Sequence, residues 1–267
     1  MPDWLAVILL GVIEGITEFL PVSSTGHLLI VEEWWHVKQT DLFNVVIQCG
    51  AVLAVVPLFP ERWRQLLFRW REPATISFVL KLCAAFVLTG CGGLILEKTG
   101  FKLPEELQPV AWALFAGGVA FLVVERWVGS RPLREEVTWT VAIAVGIGQL
   151  VAAVFPGASR SGTTILAALL LGLSRPAATE FSFLVGIPTM LAAGGLKIFK
   201  AIRHPPADAP PEDWDLLLLG TLVAAVVSFV AVKWLLRYVR THTFSGFGWY
   251  RIGLAALIFL LLRFAPR

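Results

Sequence analysis

The chain has 267 residues, of which 57% are hydrophobic and 15% charged, with a net charge of +3 and a mean hydropathy of +0.76. This composition excludes an ordinary soluble domain, in which about 25% of residues are charged. The sequence also has no basic stripe, so we expect no nucleic-acid partner. Because lipid tolerates only helices and closed barrels, and no barrel-like alternation is present, the sequence predicts an all-α polytopic membrane protein.

Six apolar segments are long enough to cross a membrane as helices. They are residues 42–59, 74–96, 108–128, 177–198, 216–236 and 249–262. Two further apolar stretches, residues 5–20 and 137–155, end in polar loops that contain proline, and residues 28–31 and 165–173 then form short apolar runs. A helix broken at membrane depth must line a cavity or be buried in protein, so this pattern predicts two re-entrant helical hairpins. Simple kinked spans are the alternative.

Arginines are concentrated in three loops between the predicted spans. Residues 61–72 carry four, residues 128–136 carry two, and residues 237–240 carry two. Cytoplasmic loops are enriched in Lys and Arg, so we expect these three loops on the cytoplasmic side. Residues 98–106 and 207–215 are neutral to acidic, which is typical of outer loops and places both termini outside.

A displacement of 135 residues aligns the two polar loops. It places Gly11 on Gly146, Glu14 on Gln149, Pro21 on Pro156 and Ser24 on Ser159. Each half would then hold one hairpin followed by three spans, and an odd number of spans makes the second half enter from the opposite face. The sequence therefore predicts an inverted-topology repeat, about residues 1–133 and 134–267, within a single integral membrane domain.

The first polar loop, residues 14–27, places charge inside an apolar segment. A charged side chain there costs about 2.5–3.5 kcal/mol on insertion scales, which indicates function and a partner elsewhere in the chain. Glu14 and Glu18 lie one helical turn apart and would repel each other if both were ionised. They either bind a divalent cation, Mg²⁺ or Ca²⁺, beside phosphate oxygens, or are held by hydroxyls and Arg160 without a metal.

Three hydroxyl side chains, Ser23, Ser24 and Thr25, follow Pro21. Proline ends the first helix, and we expect one of the three hydroxyls to cap the next. His27 lies one helical turn beyond Ser24, so imidazole and hydroxyl would share a face. A serine beside a histidine can form an activated nucleophile or protonate a leaving group, with a purely structural histidine as the alternative.

The second polar loop, residues 156–164, combines glycines, hydroxyls, one arginine and a helix N-terminus, which together form an anion cradle. Arg160 can donate two parallel hydrogen bonds to phosphate and could also neutralise Glu14 or Glu18. The candidate phosphate-binding or supporting residues of both loops are Ser23, Thr25, Gly26, Ser159, Ser161, Gly162 and Thr164. This set predicts phosphoryl transfer on a lipid phosphate, because only a lipid brings its head group to such a cavity from the bilayer.

Four stretches of the chain resemble the undecaprenyl-pyrophosphate phosphatase family, bacterial membrane enzymes linked to bacitracin resistance. They are GVIEGITEFLPVSSTGHL (11–28), FNVVIQCGAVLAV (43–55), PGASRSGTT (156–164) and EFSFLVGIP (180–188). The resemblance implies hydrolysis of undecaprenyl pyrophosphate to undecaprenyl phosphate and inorganic phosphate, which recycles the carrier for peptidoglycan and other envelope glycans. It also implies six spans and two re-entrant hairpins in the bacterial inner membrane, with an active site that opens to the outer, periplasmic face.

The resemblance also carries over the catalytic residues. By position they are Glu14, Glu18, Ser24, His27 and Arg160. In the scheme we expect, Ser24 attacks the terminal phosphorus, His27 acts as general base and then acid, and Arg160 holds phosphate oxygens. Glu14 and Glu18 would bind a divalent cation or tune His27. Alternative schemes use His27 as the nucleophile, or a metal-activated water with Ser24 as a metal ligand.

A transporter is the competing class of protein. An undecaprenyl phosphate flippase or an ion-coupled transporter would use the same inverted-repeat cavity. The pair Ser24 and His27, which transport does not need, favours hydrolysis. An acid-phosphatase-like lipid phosphatase is not expected, because its histidine is missing after Ser159-Arg160. The expected partners are a polyprenyl pyrophosphate substrate and membrane lipids, and a homodimer is compatible with the sequence.

Overall fold

The structure, a computed structural model, describes residues 2–35, 39–100, 106–129, 131–203 and 213–264. Its α-helices are α1 (Asp3–Thr17), α2 (Ser24–Trp35), α3 (Asp41–Val55), α4 (Pro60–Phe68), α5 (Pro73–Lys98), α6 (Leu107–Val128), α7 (Trp139–Val154), α8 (Arg160–Leu170), α9 (Arg175–Arg203), α10 (Trp214–Tyr238) and α11 (Ser245–Phe264). A 3₁₀ turn, Val56–Leu58, joins α3 to α4. Each helix satisfies its own backbone hydrogen bonds, as lipid requires, and the expected all-α fold is confirmed.

Five helices of the described ranges, α5, α6, α9, α10 and α11, are long and apolar enough to cross a membrane. They match five of the six expected spans. The other, residues 42–59, corresponds to Leu42–Leu58, which meets the following helix α4 at an angle of 74°. The two form either one broken span or a re-entrant loop. Pro57 and Pro60 lie at this bend, where each removes a backbone donor. The chain is thus a multi-pass membrane protein, whose described residues include five candidate spans, or six if the bent pair is one span.

Helices α1 and α7 are shorter than a membrane span. They contain 15 and 16 residues, which makes them about 22–24 Å long against a hydrocarbon core of about 30 Å. A proline-containing break follows each, and the next helix, α2 or α8, packs back against it. These lengths and contacts agree with two re-entrant hairpins and disagree with two kinked spans.

The helix contacts support the predicted repeat. If α1, α2, α3, α5 and α6 of the first half correspond to α7, α8, α9, α10 and α11 of the second, the main helix contacts have counterparts. Helix α1 packs on α10, and its counterpart α7 packs on α5; α3 packs on α9, and α6 packs on α11. This pairing is expected of two halves related by an internal two-fold axis.

Small residues bring α1 and α10 close together. A Cβ atom added to Gly11 would lie 2.7 Å from the carbonyl oxygen of Gly220, and one added to Gly15 would lie 2.7 Å from that of Ala224. Both pairs have a spacing of four residues, the small-xxx-small pattern that lets membrane helices pack with their backbones nearly in contact. Glycine is therefore required at both positions of α1.

A buried ion pair links one end each of α6, α9 and α11. The carboxylate of Glu125, near the end of α6, accepts hydrogen bonds from Arg175 at the start of α9 and from the backbone N–H of Phe244 just before α11, the latter at 2.7 Å. The side chains of Glu125 and Arg175 are 3% and 19% exposed. Since both charges are largely out of water, each depends on the other.

The arginine-rich loops lie at the same end of the bundle. Arg62 in α4 pairs with Glu180 near the start of α9, and the N–H of Arg134 donates to the carbonyl oxygen of Gly172, just before α9, at 2.8 Å. Glu125 joins this end of α9 to the loop between α10 and α11. The three loops predicted to share the cytoplasmic side therefore meet in one place.

We expect Arg175→Leu to lower the free energy of unfolding by about 3–5 kcal/mol, because the Glu125 carboxylate stays buried without its cation. Equilibrium unfolding in mixed detergent micelles measures the change. Arg69→Leu is the matched control: its pair with Glu72 is 56% and 44% exposed, so its loss should change the free energy of unfolding far less. Equal effects of the two substitutions would contradict the prediction.

Candidate active site

A serine lies at each of the two helix breaks and caps the helix that follows. Ser23 and Ser159 have φ angles of 74° and 68°, in the left-handed region that costs a side-chain-bearing residue about 1–3 kcal/mol. Each caps the helix that follows: Ser23 Oγ accepts from the N–H of Gly26 at 3.3 Å, and Ser159 Oγ accepts from that of Gly162 at 3.2 Å. The capping hydroxyl expected in the first loop is therefore Ser23, which leaves the hydroxyl of Ser24 available for chemistry.

The caps show that the register of the repeat changes at the break. Ser23 corresponds to Ser159, a displacement of 136 residues rather than 135, because the second loop has one more residue between its proline and its cap. The alignment of Ser24 with Ser159 is therefore wrong in structural terms. Ser24 instead corresponds to Arg160, and these two residues begin α2 and α8.

Ser24 and Arg160 meet at one carboxylate. Ser24 Oγ donates to Glu18 Oε2 at 2.7 Å, and Arg160 Nη2 donates to Glu18 Oε1 at 3.0 Å. The Glu18 side chain is 4% exposed and that of Arg160 29%. A guanidinium carries five N–H donors and the Glu18 contact uses one, so Arg160 can hold this carboxylate and an anion together. The expected pairing of the first loop with Arg160 is confirmed for Glu18.

These residues face a cavity of about 630 Å³ between the two halves. Its polar lining includes Glu18, Ser24, Thr25, Gln48, Gln149 and Arg160. Ser23 and Ser159 also reach the lining. Apolar side chains form the other walls, among them Phe86, Leu94, Leu150 and Leu196. The cavity therefore joins a polar end, with hydroxyls and one guanidinium, to apolar walls.

Four of the expected phosphate-binding or supporting residues lie outside the cavity lining. They are Gly26, Ser161, Gly162 and Thr164. Ser161 Oγ donates to the carbonyl oxygen of Leu20 at 3.2 Å and so ties the second loop to the first. Thr164 Oγ1 donates to the carbonyl oxygen of Arg160 within α8 at 2.8 Å. These residues hold the two breaks in place, and the anion cradle is smaller than the sequence predicts.

Glu14 is buried one turn before Glu18 and is 2% exposed. Its Oε1 has no hydrogen-bond partner among the described residues, which is costly for a carboxylate out of water unless a proton or cation is bound. No group of three or more His, Cys, Asp and Glu side chains in the described ranges could hold a metal ion by itself. A cation at Glu14 would therefore need hydroxyl, amide or substrate oxygens to complete its ligand shell, as Mg²⁺ does at phosphate sites.

His27 points away from Ser24. Its Nδ1 lies 2.7 Å from the carbonyl oxygen of Ser23, and its Nε2 lies 2.6 Å from the hydroxyl of Tyr250, whose ring stacks on the imidazole. A carbonyl can only accept, so Nδ1 carries a proton and donates it. The side chain lines a second cavity, of about 550 Å³, beside α10 and α11.

The expected contact between Ser24 and His27 is therefore not formed. Three residues of α-helix rotate a side chain by about 300°, which leaves the two side chains about 60° apart around the axis of α2. Their partners then separate them further, because Ser24 turns back to Glu18 while His27 reaches Tyr250 on α11. The imidazole holds α2 against α11 and does not contact the serine.

Arg251 in α11 is a site residue that the sequence analysis missed. It is 0% exposed and forms no ion pair with any described carboxylate. Its guanidinium donates to five carbonyl oxygens at 3.0–3.4 Å, those of Pro21, Ala113, Leu114, Gly157 and Ala158. Pro21 belongs to the first break, and Gly157 and Ala158 belong to the second, so one side chain links both.

A signal for Arg251 was present in the sequence. It is a charged residue inside the apolar segment 249–262, where a charge is as costly as at Glu14 and Glu18 and equally indicates function. Its neighbour in α6 is Gly117, where an added Cβ would lie 2.2 Å from Arg251 Nη2. Glycine at this position makes the room that the guanidinium occupies.

We expect Arg251→Lys to loosen both breaks, because an ammonium group has three donors at one point and cannot reach carbonyls on three elements. The free energy of unfolding should fall by about 2–4 kcal/mol. Hydrogen exchange measured by mass spectrometry should speed up in residues 18–24 and 156–160 together. Arg263→Lys, at the exposed end of α11, is the control and should change neither quantity. Faster exchange in only one break would contradict the prediction.

Comparison with known proteins agrees with the resemblance read from the motifs. Residues 7–257 match the family model described as bacitracin resistance protein BacA. A Rhizobium etli protein named undecaprenyl-diphosphatase is 50% identical over 257 residues, which are 96% of each chain. A protein of the same name from Xanthomonas euvesicatoria pv. vesicatoria is 49% identical over 263 residues, 98% of each chain. The chain therefore belongs to the bacitracin resistance protein BacA family.

Proposed function

We propose that this protein hydrolyses undecaprenyl pyrophosphate to undecaprenyl phosphate and inorganic phosphate. The reaction would recycle the lipid carrier for peptidoglycan and envelope glycan synthesis and confer resistance to bacitracin. The observation that carries the proposal is the pair Ser24 and Arg160, bound to the same Glu18 carboxylate at the polar end of a membrane cavity. The family, and the printed names of relatives at about half identity, support the same activity.

The two ends of the cavity fit the two ends of such a lipid. The diphosphate matches the hydroxyls and the guanidinium, and the prenyl chain matches the apolar walls. Part of the wall is open: a Cβ added to Gly90 or Gly93 of α5 would meet no described atom within 4 Å. A long chain would therefore have room to leave the cavity beside α5 while its head group reaches Ser24.

Glu18 is the group placed to remove a proton from Ser24. In the proposed reaction, Ser24 Oγ attacks the terminal phosphorus, and its proton passes to Glu18 Oε2. The Oγ–P bond forms as the bond from the phosphorus to the bridging oxygen breaks, and undecaprenyl phosphate leaves with the proton from Glu18. Arg160 neutralises the charge that develops on the terminal phosphate.

A water molecule completes the cycle. Glu18 accepts a proton from this water, which attacks the phosphoserine, and the Oγ–P bond breaks to release inorganic phosphate. Glu18 then returns the proton to Ser24 Oγ. The base in this proposal is Glu18 rather than the expected His27, because the imidazole is held by Ser23 and Tyr250. Neither ring nitrogen faces the cavity as a nucleophile would.

A divalent cation, Mg²⁺ or Ca²⁺, is part of the proposal. Glu14 and Glu18 would hold it, Glu14 through the Oε1 atom that lacks a partner among the described residues. Such an ion would neutralise negative charge on the diphosphate and make its terminal phosphorus easier to attack. The remaining ligands would be oxygens of the substrate or of water.

The proposed location is the bacterial inner membrane, with the site open to the outer, periplasmic face. The rim of the cavity includes Glu97 and Lys197, near the ends of α5 and α9 that lie opposite the arginine-rich loops. Cytoplasmic loops are enriched in arginine, so the rim would face outward. The predicted outer loops, residues 98–106 and 207–215, lie largely outside the described residues.

We expect purified wild-type protein in detergent to release phosphate from undecaprenyl pyrophosphate. Ser24→Ala, Glu18→Gln and Arg160→Ala should each lower kcat/KM by at least about 100-fold, because each removes a group that acts in the transition state. Ser245→Ala is the matched control: Ser245 begins α11 as Ser24 begins α2, but lies away from the cavity. Its activity should equal that of the wild type.

The same assay separates hydrolysis from transport. A flippase needs an intact bilayer, so wild-type protein that moves undecaprenyl phosphate across vesicles but releases no phosphate in detergent would reject the proposal. Reactions quenched in neutral SDS, which preserves both phosphoserine and phosphohistidine, should also trap a phosphoenzyme on Ser24 when the substrate is labelled at the terminal phosphate. Label on His27 would show that His27, and not Ser24, is the nucleophile. An active enzyme without any trapped label would favour direct attack by water.

Removing divalent cations should lower turnover at least tenfold. The test is dialysis of the detergent-solubilised protein against EDTA, followed by phosphate release with and without added Mg²⁺ or Ca²⁺. Activity should return with one of the two ions, and Glu14→Gln should raise the ion concentration needed for half-maximal recovery. Unchanged turnover after EDTA would remove the cation from the proposal and leave the role of Ser24 intact.

A further inference from the structure

Gln149 is a buried polar residue in the cavity wall that the proposed reaction does not use. Its side chain lies on α7, is 3% exposed and lines the cavity. Neither Oε1 nor Nε2 has a hydrogen-bond partner among the described residues. An unpaired buried polar group costs about 1–3 kcal/mol. This cost would be offset if a ligand in the cavity supplied the missing partner.

One hydroxyl fixes Gln149 relative to Arg160. Thr163 Oγ1 is 2.8 Å from the carbonyl oxygen of Gly148, the residue before Gln149, and 3.1 Å from the carbonyl oxygen of Arg160. The backbones that carry the amide and the guanidinium are therefore held together across α7 and α8. Both side chains line the same cavity, so a ligand that binds Arg160 shares that cavity with Gln149.

In the internal repeat, Gln149 of the second half corresponds to Glu14 of the first. Gln149 occupies the place in α7 that Glu14 occupies in α1, and both side chains are buried with at least one unpartnered atom among the described residues. A carboxylate suits a cation, whereas an uncharged amide can donate to an anion without repelling it. Next along α7 is Leu150, which belongs to the apolar wall. The cavity lining on α7 therefore changes from polar to apolar between Gln149 and Leu150.

We propose that Gln149 binds the substrate diphosphate, with Nε2 donating to an oxygen of the phosphate that stays on the lipid. Arg160 and Ser24 then contact the terminal phosphate. Donors from Gln149 and Arg160 together distinguish a diphosphate from a monophosphate. The inference rests on the proposed function, because it uses that substrate. It adds a residue that selects the substrate without taking part in proton transfer.

The experiment compares two inhibitors of phosphate release from terminally labelled undecaprenyl pyrophosphate. Inorganic pyrophosphate would occupy both phosphate positions, and inorganic phosphate would occupy the terminal one. Gln149→Leu should raise the Ki of pyrophosphate about tenfold or more, as expected for loss of a hydrogen bond to a charged group. The Ki of phosphate should stay within about twofold of the wild-type value. Gln149→Glu, which has the same size and a negative charge, should weaken pyrophosphate binding further.

Thermal unfolding distinguishes binding from a structural role. Gln149→Leu removes two unpaired polar groups from a buried position, so the unfolding temperature should equal or exceed that of the wild type. Ser228→Ala is the matched control: Ser228 is also buried with no partner among the described residues, but it lies on α10 outside the cavity lining. Its Ki values should equal those of the wild type.

The outcomes separate this inference from the proposed function. If wild-type protein releases phosphate and Gln149→Leu has the wild-type Ki for pyrophosphate, the inference fails and the function stands. Equal increases in both Ki values, or a lower unfolding temperature, would also overturn it, because the residue would then serve the terminal phosphate or the fold. Wild-type protein that neither releases phosphate nor binds pyrophosphate would overturn the function itself.

Discussion

A single buried guanidinium holds together the two broken helices on which the site is built. A helix that breaks inside a membrane exposes carbonyl oxygens that lipid cannot satisfy, and a cation in the same place has no water. Arg251 offsets both costs, because its guanidinium donates to carbonyl oxygens of both breaks and of α6. These bonds act together with two other contacts between the breaks, Ser161 Oγ to the carbonyl oxygen of Leu20 and Arg160 to Glu18.

The carboxylate of Glu18 depends on that arrangement. It receives a hydroxyl from its own half and a guanidinium from the other, so its negative charge is balanced only when the two breaks are adjacent. The same geometry makes Glu18, rather than the imidazole, the neighbour of the candidate nucleophile. His27 and Tyr250 instead join α2 to α11, the helix that also carries Arg251. The contacts that pack the two halves together therefore also position the groups proposed to react.

Much of the fold could be predicted because membrane helices are encoded locally. Apolar length identified five spans, and proline-interrupted segments too short to cross identified both hairpins. The pairing of the first loop with Arg160 could be predicted from charge together with the internal repeat, since a carboxylate in an apolar segment needs a cation and the repeat brings the two loops together. Helix α4 was missed because its charged residues, Glu61, Arg62 and Arg64, are typical of a loop between spans.

By itself, the sequence determined the membrane fold, the two interrupted helices and the residue types of the site, since each follows from composition over a few neighbouring positions. Only the tertiary structure decided which side chains meet. One extra residue in the second loop places Ser24 opposite Arg160, and α11 draws His27 away from the serine. Such contacts depend on the rotation and depth of helices distant in the chain, and packing sets both.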